Sequence, residues 1–375
     1  MVTKTKKTIL YIVSTLAATG PTKQLYGIIN NLDRHKYEPY ILTLSPEGEQ
    51  SLAGMFMDAN IPVESLNISR VMGMLIGDNK LKNAVQRIAP DIIHSQGIRS
   101  DGMLLKLPGE YPCCNTIRNY PFDDYVMLYG KTKGTMLAKK HINIIKRSNY
   151  PVACSRYLAE RLNLNHQTNC RFIQNGIDHM QYTPVSNHQK YELRNKLGMN
   201  QTKRIFIMSG SLILRKDPIT VIEAFKKANV DDIAELIVIG GGDMQAQCEI
   251  IAGQRVIIKG NITNVSEYLA ASDVFVSAAL SEGLPNSVLE AMGTGLPVLL
   301  SNIEPHLEIF EENMGIGQLF KTGDVDLLSA LIHEYAHMAK NELKEKSNQA
   351  RETLCSSFSS EIMSGRYQRL YDELS

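Results

Sequence analysis

Two glutamates, Glu282 and Glu290, lie on either side of a Gly-Leu-Pro turn and could carry out chemistry on a ligand. The alternative is that neither residue has a ligand role, and that one is a solvated loop glutamate and the other a surface helix glutamate. A glycosidase dyad is disfavoured, because eight residues along one helix span about 12 Å and such dyads need roughly 5 to 9.5 Å. The turn between the two residues could instead place both carboxylates around one ligand.

Two adjacent cations, Arg215 and Lys216, follow an apolar run of strand length at 205–208. Adjacent basic residues are usually solvated. Ligands of open α/β sheets, however, bind at the carboxyl ends of the strands. Arg215 and Lys216 could therefore face an anionic ligand at such a strand end.

The stretch 272–302 would position the glutamates as a strand, a loop, a short helix and a second strand. The apolar runs 274–278 and 297–300 predict the strands, and 287–292 predicts the helix. Gly283 lets the backbone approach a ligand closely, and Pro285 suits a first helical turn. The positive end of the helix would favour a phosphate.

The rest of the chain alternates short apolar runs with amphipathic stretches. Strands separated by helices indicate βαβ units and parallel pairing. We therefore predict an α/β protein with two Rossmann-like domains, joined by a linker near 182–189, where Pro, Ser, Asn and His cluster. The further predicted strands are 9–13, 40–44, 91–94, 113–117, 151–154, 171–173, 235–239, 256–258 and 317–320.

The composition is that of a globular chain. The 375 residues, 43% of them apolar, suffice for two domains of ordinary size. No apolar run is long enough to span a membrane, and the basic N-terminus reads as the first strand rather than a signal peptide. The six cysteines lack CxxC spacing, which indicates reduced thiols in a cytosolic protein. A net charge of +1 does not imply non-specific nucleic-acid binding.

Charge is distributed unevenly along the chain. Residues 1–178 have a balance of +8, and residues 179–375 have a balance of −7. The segment Lys131–Arg147 holds six Lys and Arg residues and no acid, with Ala138, Ile142 and Ile145 on another face. It is either a basic amphipathic helix that lies on an anionic membrane or an ordinary surface helix. The charge asymmetry could equally reflect two domains that attract each other.

The run from Glu282 through Glu290, followed by Gly295-Leu296-Pro297-Val298, resembles the retaining GT-B glycosyltransferases of the family 4 type. The resemblance implies two Rossmann-like domains that face each other across a cleft, with a last helix that crosses back. The N-terminal, acceptor-binding domain would comprise residues 1–181 and the helix 359–375. The nucleotide-sugar-binding domain would comprise residues 182–358.

The resemblance also implies roles for individual residues. Glu282 would contact the donor sugar, and Lys216 with Arg215 would stabilise the leaving diphosphate. Glu290 would bind the ribose. The acceptor would contact Arg118 and His94, although a buried core role is an equally simple account of His94. The residues expected to bind the donor are Gly20, Gly210, Lys216, Gly260, Asn261, Gly283, Leu284, Pro285, Asn286 and Glu290.

Three positions depart from the family pattern. Relatives more often have paired glycines and a Glu where this chain has Gly20-Pro21-Thr22-Lys23, so an ordinary turn is the alternative there. Many relatives have a histidine near the reacting sugar where this chain has Arg118, which cannot act as a base at neutral pH. Ser211 occupies the place of a cation that Arg215 could replace.

The function that follows is retaining transfer of a sugar from a nucleotide-sugar, with UDP favoured over GDP, to a glycan or lipid-linked acceptor of surface polysaccharide assembly. No cofactor or metal is expected, and Asp324 of Asp324-Val325-Asp326 is expected to cap a helix rather than bind a metal. The enzyme would be cytoplasmic and could contact the membrane peripherally. The alternatives are a nucleotide-sugar epimerase or hydrolase on the same fold and a non-catalytic sugar-nucleotide-binding protein.

Overall fold

The computed structural model describes residues 6–69, 77–107 and 111–374. The chain divides into two compact units. Unit 1 comprises Met1–Asn175 and Ser360–Ser375, and unit 2 comprises Gly176–Ser359. The predicted domain boundary after residue 181 lies a few residues beyond this division.

Unit 1 contains a parallel sheet of seven strands in the order β3-β2-β1-β4-β5-β6-β7. The predicted strands are confirmed, and one short edge strand, β3, was missed because three residues carry too little pattern to recognise. The strands are β1 (Lys7–Val13), β2 (Tyr37–Thr43), β3 (Val63–Ser65), β4 (Ile92–Gln96), β5 (Cys113–Ile117), β6 (Tyr150–Ala153) and β7 (Arg171–Phe172).

Helices connect these strands, as parallel pairing requires. The final helix of the chain packs in unit 1, against α1, and it buries Met363, Tyr367, Leu370 and Tyr371 in the unit 1 core. The helices are α1 (Gly20–Asn30), α2 (Ala53–Asp58), α3 (Gly77–Ile88), α4 (Ile98–Leu104), α5 (Pro121–Tyr129), α6 (Lys131–Arg147), α7 (Arg156–His166) and, at the end of the chain, α16 (Ser360–Leu374).

Unit 2 contains a parallel sheet of six strands in the order β10-β9-β8-β11-β12-β13. All six were predicted from the sequence, and their largely apolar residues are buried on both faces. The strands are β8 (Arg204–Ser209), β9 (Ala234–Ile239), β10 (Val256–Ile258), β11 (Val274–Ser277), β12 (Val298–Ser301) and β13 (Gly317–Phe320).

Eight helices accompany the strands of unit 2. Asp324 caps one of them, because its carboxylate accepts a hydrogen bond of 2.9 Å from the backbone N–H of Leu327, and that prediction is confirmed. The helices are α8 (Asn187–Leu197), α9 (Pro218–Ala228), α10 (Gln245–Ala252), α11 (Val265–Ala271), α12 (Asn286–Gly293), α13 (Glu304–Glu312), α14 (Val325–His337) and α15 (Lys340–Ser357).

The strand order reverses direction once in each sheet. In unit 1 the reversal lies between β1 and β4, and in unit 2 it lies between β8 and β11. The loops at such a reversal separate to opposite faces of the sheet and leave a crevice beyond the strand ends. Each unit therefore has one place where the fold itself favours ligand binding.

Candidate active site

The loop after β8 brings two cations to the reversal point of unit 2. Leu214–Lys216 forms a single 3₁₀ turn, and the side chains of Arg215 and Lys216 are only 17% and 14% exposed. Gly210 has a φ of 143°, and a Cβ at this residue would lie 3.8 Å from Cε of Lys216. The glycine therefore gives the loop a conformation that other residues rarely adopt, and a side chain there would make only an ordinary van der Waals contact with the lysine.

The loop after β11 brings Glu282 to the same point. Its carboxylate accepts a hydrogen bond of 2.8 Å from Nη1 of Arg215, and its other oxygen contacts Nζ of Lys216. Burial alone would raise the pKa of Glu282, but the charges of Lys216 and Arg215 outweigh burial and hold that pKa below its usual range. The three side chains form a buried cluster of one carboxylate and two cations, which we name the Glu282 cluster.

The backbone also ties the two loops together. Nη1 of Arg215 donates to the carbonyl oxygen of Ser281 at 2.8 Å, and the N–H of Leu280 donates to the carbonyl oxygen of Arg215, also at 2.8 Å. The cluster is thus fixed before any ligand arrives. An anion that entered this site would find two positioned cations, and it would compete with Glu282 for them.

The predicted helix after Glu282 is α12, and Glu290 lies on it. Glu290 is 7% exposed and hydrogen-bonds to Tyr182, whose pKa is raised by burial and by the charge of Glu290. Nη1 of Arg351 donates to the carbonyl oxygens of Gly293 and Tyr182, at 2.6 Å each, and so holds the end of this helix. The structure therefore places both glutamates in unit 2, with different partners.

Several predicted donor contacts lie at neighbouring strand ends of the same sheet. The carbonyl oxygen of Gly260, after β10, accepts from the N–H of Gly240, after β9, at 2.9 Å. A Cβ at Gly240 would lie 1.8 Å from the carbonyl oxygen of Gly210, and one at Gly241 would lie 2.7 Å from Nδ2 of Asn261. The glycines therefore permit close backbone packing of these loops, while a nucleotide contact by Gly260 and Asn261 stays a prediction.

In unit 1, Arg118 follows β5 and lies against Gln96, at the end of β4. Its guanidinium donates to Oδ1 of Asn175 at 2.6 Å and to Oε1 of Gln96 at 3.2 Å. Both acceptors are neutral amides. Gly20 begins α1 in the same unit, and Pro21 lines a pocket with Gln96 and Arg118.

His94, the other predicted acceptor residue, is fully buried in unit 1. Both ring nitrogens have partners, since Nδ1 lies 2.7 Å from the hydroxyl of Tyr371 and Nε2 lies 2.7 Å from that of Thr116. Burial, and then the charge of Arg118, lowers the pKa of His94 to about 3. A neutral histidine that anchors α16 to the sheet explains these contacts, so the geometry favours the core role that the sequence also allowed.

Residues 189–353 match the family model described as glycosyl transferases group 1. The match lies within unit 2, so this unit resembles the group 1 glycosyltransferases. The O-antigen biosynthesis glycosyltransferase WclY of Escherichia coli is 25% identical over 98% of both chains. The UDP-Gal:alpha-D-GlcNAc-diphosphoundecaprenol alpha-1,3-galactosyltransferase of Escherichia coli is 32% identical, but the match spans only 43% of either chain.

Solved structures of glycosyltransferases share the fold of this chain over nearly its whole length. Anabaena Alr3699/HepE, solved in complex with UDP and glucose, has a TM-score of 0.80, covers 98% of this chain and 100% of its own, and is 16% identical. At that identity the likeness shows the fold alone. The predicted GT-B architecture is thereby confirmed.

One buried residue near the Glu282 cluster, His306, was not predicted from the sequence. His306, in the first turn of α13, is fully buried, and its Nδ1 lies 2.7 Å from the carbonyl oxygen of Ser301. Burial lowers the pKa of His306 to about 4, even though the bond to Ser301 and the charge of Glu282 raise it. Its position in the helix that follows β12, two residues before the buried Glu308, was the available signal.

The described part of the chain has neither a group of metal-binding side chains nor a membrane-spanning helix. Within 6–69, 77–107 and 111–374, no three His, Cys, Asp or Glu side chains cluster in a way that could hold a metal ion. Across the same described residues, every helix is too short or too polar to cross a lipid bilayer.

Proposed function

We propose that this glycosyltransferase moves a sugar from a nucleotide diphosphate sugar to a glycan acceptor, with retention at the anomeric carbon. The observation that carries the proposal is the Glu282 cluster at the reversal point of unit 2. As the sugar leaves, negative charge grows on the diphosphate. Positioned cations such as Lys216 and Arg215 stabilise such charge strongly in a buried site.

The proposal assigns separate tasks to the remaining residues of unit 2. Glu282 would bind hydroxyl groups of the sugar once the diphosphate has replaced it as the partner of Lys216 and Arg215. Backbone N–H groups of Gly283–Asn286 would hold the sugar and diphosphate. Glu290 would bind the ribose, and this contact would replace its hydrogen bond to Tyr182. Fixed cations would neutralise the leaving group without a metal ion.

We further propose a UDP-sugar as the donor and a lipid-linked glycan of surface polysaccharide assembly as the acceptor. The E. coli galactosyltransferase that resembles this chain is named for UDP-Gal and for an acceptor on diphosphoundecaprenol. WclY, which matches nearly the whole chain, is named for O-antigen biosynthesis. These names support the donor and acceptor classes, and we propose that the reaction takes place at the cytoplasmic face of the membrane.

Nucleotide release by the purified protein tests the proposal, with UDP-, GDP-, ADP- and dTDP-sugars each assayed with and without a lipid extract. We expect release from a UDP-sugar that rises when the extract is added and that produces a glycosylated lipid. Full turnover without an acceptor would instead identify a hydrolase or epimerase. Donor binding without turnover under every condition would favour a non-catalytic binding protein.

The membrane contact that we propose centres on the hairpin of α5 and α6. Its exposed apolar residues are Met127, Leu128, Tyr129 and Met136, with Leu128 57% and Met136 64% exposed. A Cβ at Gly134 would lie 2.3 Å from the carbonyl oxygen of Tyr125, so the glycine lets the two helices pack closely. Exposed lysines lie on α6 of the same hairpin, and a combination of exposed apolar and basic residues is typical of surfaces that bind anionic lipid.

Charge neutralisation of this hairpin tests the membrane contact. The variant K133Q/K139Q/K140Q/R147Q should sediment far less with anionic vesicles, since each basic residue near such a surface contributes about 1 kcal/mol. The exposed lysines Lys340 and Lys344 of α15, changed to Gln, provide the control. Equal sedimentation of the hairpin variant and the wild type would exclude an electrostatic contact at this helix.

A further inference from the structure

Unit 1 contains a pocket at its own reversal point. The pocket has a volume of about 220 Å³ and lies where β4 and β5 end and α1 begins. That volume suits a small group rather than a whole nucleotide, since drug-sized ligands occupy roughly 300–1,000 Å³. The polar and helix-end residues of its wall include Pro21, Gln96, Arg118, Asp124, Tyr125 and His141.

Arg118 supplies a positive charge to this pocket without a carboxylate partner among the described residues. The amides of Asn175 and Gln96 hold two of its nitrogens, which fixes the plane of the guanidinium. Its Nε is buried and has no hydrogen-bond partner. A fixed, uncompensated guanidinium with a free donor matches an oxyanion, which it can bind with charge-assisted hydrogen bonds.

Gln96 provides a second donor without a partner. Its side chain is 8% exposed, its Oε1 accepts from Arg118, and its Nε2 is buried and makes no hydrogen bond. The bond from Arg118 to Oε1 orients the amide, so the free NH₂ group belongs to the same wall. A buried donor left without an acceptor costs about 1–3 kcal/mol, and a ligand oxygen would remove that cost.

Two of the lining residues, Tyr125 and His141, are linked to buried polar groups that do not themselves line the pocket. The hydroxyl of Ser95 donates to Oδ1 of Asp101 at 2.6 Å, and Oδ2 of Asp101 lies 3.5 Å from Nε2 of His141. Nδ1 of His141 in turn lies 3.0 Å from the hydroxyl of Tyr125. Asp101 is buried and accepts from Ser95, whereas its Oδ2 and Nε2 of His141 make no hydrogen bond. Asp101 is absent from the lining of the pocket, so its carboxylate is not part of the surface that an anion would contact.

The start of α1 adds to the positive potential. This helix has eleven residues, no acidic residue in its first turn and no side chain that caps its N-terminus. Pro21, in that first turn, lines the pocket. The positive end of the helix dipole therefore points to the same space as Arg118.

We propose that this pocket binds an oxyanion, a phosphate or carboxylate that belongs to the acceptor, through Arg118 and Gln96. The assignment to the acceptor rests on the proposed function, and the oxyanion site itself does not. Asp124 is the one carboxylate among the wall residues named above, and Nδ2 of Asn119 donates to it at 3.4 Å. Because Asp124 can accept from a hydroxyl, the pocket favours an oxyanion that carries or adjoins an O–H group.

Binding of inorganic phosphate to the full-length protein, followed by ³¹P NMR, tests the site. Saturating UDP is present throughout, so that the diphosphate site proposed in unit 2 is occupied. We expect phosphate to bind under these conditions and Arg118→Gln to weaken that binding about tenfold or more. Gln96→Leu should weaken it severalfold, whereas Lys36→Gln, which removes an exposed cation of the same unit, should have no effect.

Titration of acetate against bound phosphate distinguishes a carboxylate site from a phosphate site. Binding of either ligand that depends on Arg118 supports the proposal. Absence of phosphate and acetate binding with UDP present would overturn the proposal. So would equal binding by the wild type, Arg118→Gln and Gln96→Leu. If Arg118→Gln fails to fold, Gln96→Leu decides. Phosphate binding without any sugar transfer would refute the proposed function and leave the oxyanion site standing.

Discussion

Glu282→Gln is expected to reduce sugar transfer by about a hundredfold to a thousandfold, while the variant binds UDP at least as tightly as the wild type. The carboxylate contacts both Arg215 and Lys216, so a diphosphate that binds these cations must displace it. Removal of its charge makes both cations available to the diphosphate. It also removes the group that we propose to position the sugar. Steady-state transfer kinetics and UDP titration of the same preparation measure the two effects.

The same substitution should also lower the free energy of unfolding. Loss of one partner from a buried ion pair leaves an uncompensated charge and costs about 3–5 kcal/mol. UDP should therefore stabilise Glu282→Gln more than it stabilises the wild type, and thermal unfolding with and without UDP measures the difference. Glu304→Gln, at an exposed position of α13, is the matched control. Full transfer activity in Glu282→Gln would remove Glu282 from the mechanism.

Lys216→Met is expected to weaken UDP binding about tenfold and to lower kcat/KM for the donor about a hundredfold. The methionine keeps most of the length of the side chain over Gly210 and removes only the charge. Arg215 still neutralises Glu282, so this variant should lose less stability than Glu282→Gln. Donor titration and transfer kinetics provide the measurement.

Lys227→Met, on the exposed face of α9, is the control for this second variant. A result in which Lys216→Met alters stability alone, with unchanged UDP affinity and kcat/KM, would show that the ion pair is structural. Opposite effects of Glu282→Gln and Lys216→Met on UDP affinity would identify the cluster as a diphosphate site. In such a site Glu282 forms ion pairs with the two cations until the diphosphate displaces it.

Some of the candidate site could be predicted from the sequence because it depends on local order. A strand end fixes where its following loop lies, and parallel strands place all their loops at one edge of the sheet. The runs before Arg215-Lys216 and before Glu282 were recognised as strands, so their loops were expected at the same edge. The motif around Glu282 and Glu290 then supplied the chemistry.

Other parts could not be predicted because they depend on partners distant in sequence. The sequence left His94 open between two roles, and only its contact with Tyr371, far along the chain, favours the core role. The Asp101–His141 contact joins α4 to α6, and no motif marks it. Gln96 attracted no attention as a neutral residue at the end of a strand, and its importance follows from an unpaired Nε2 beside Arg118.

The sequence by itself determined the alternation of strands and helices, the two parallel sheets and the set of loops that could carry a ligand. Hydrophobic periodicity and turn residues act over a few neighbouring positions, and this short range is sufficient for those features. Only the tertiary structure decided which charges neutralise each other, which donors remain unpaired and which histidine is buried. Ion pairing and desolvation depend on distances between side chains and on the water removed around them, and packing of the whole unit sets both.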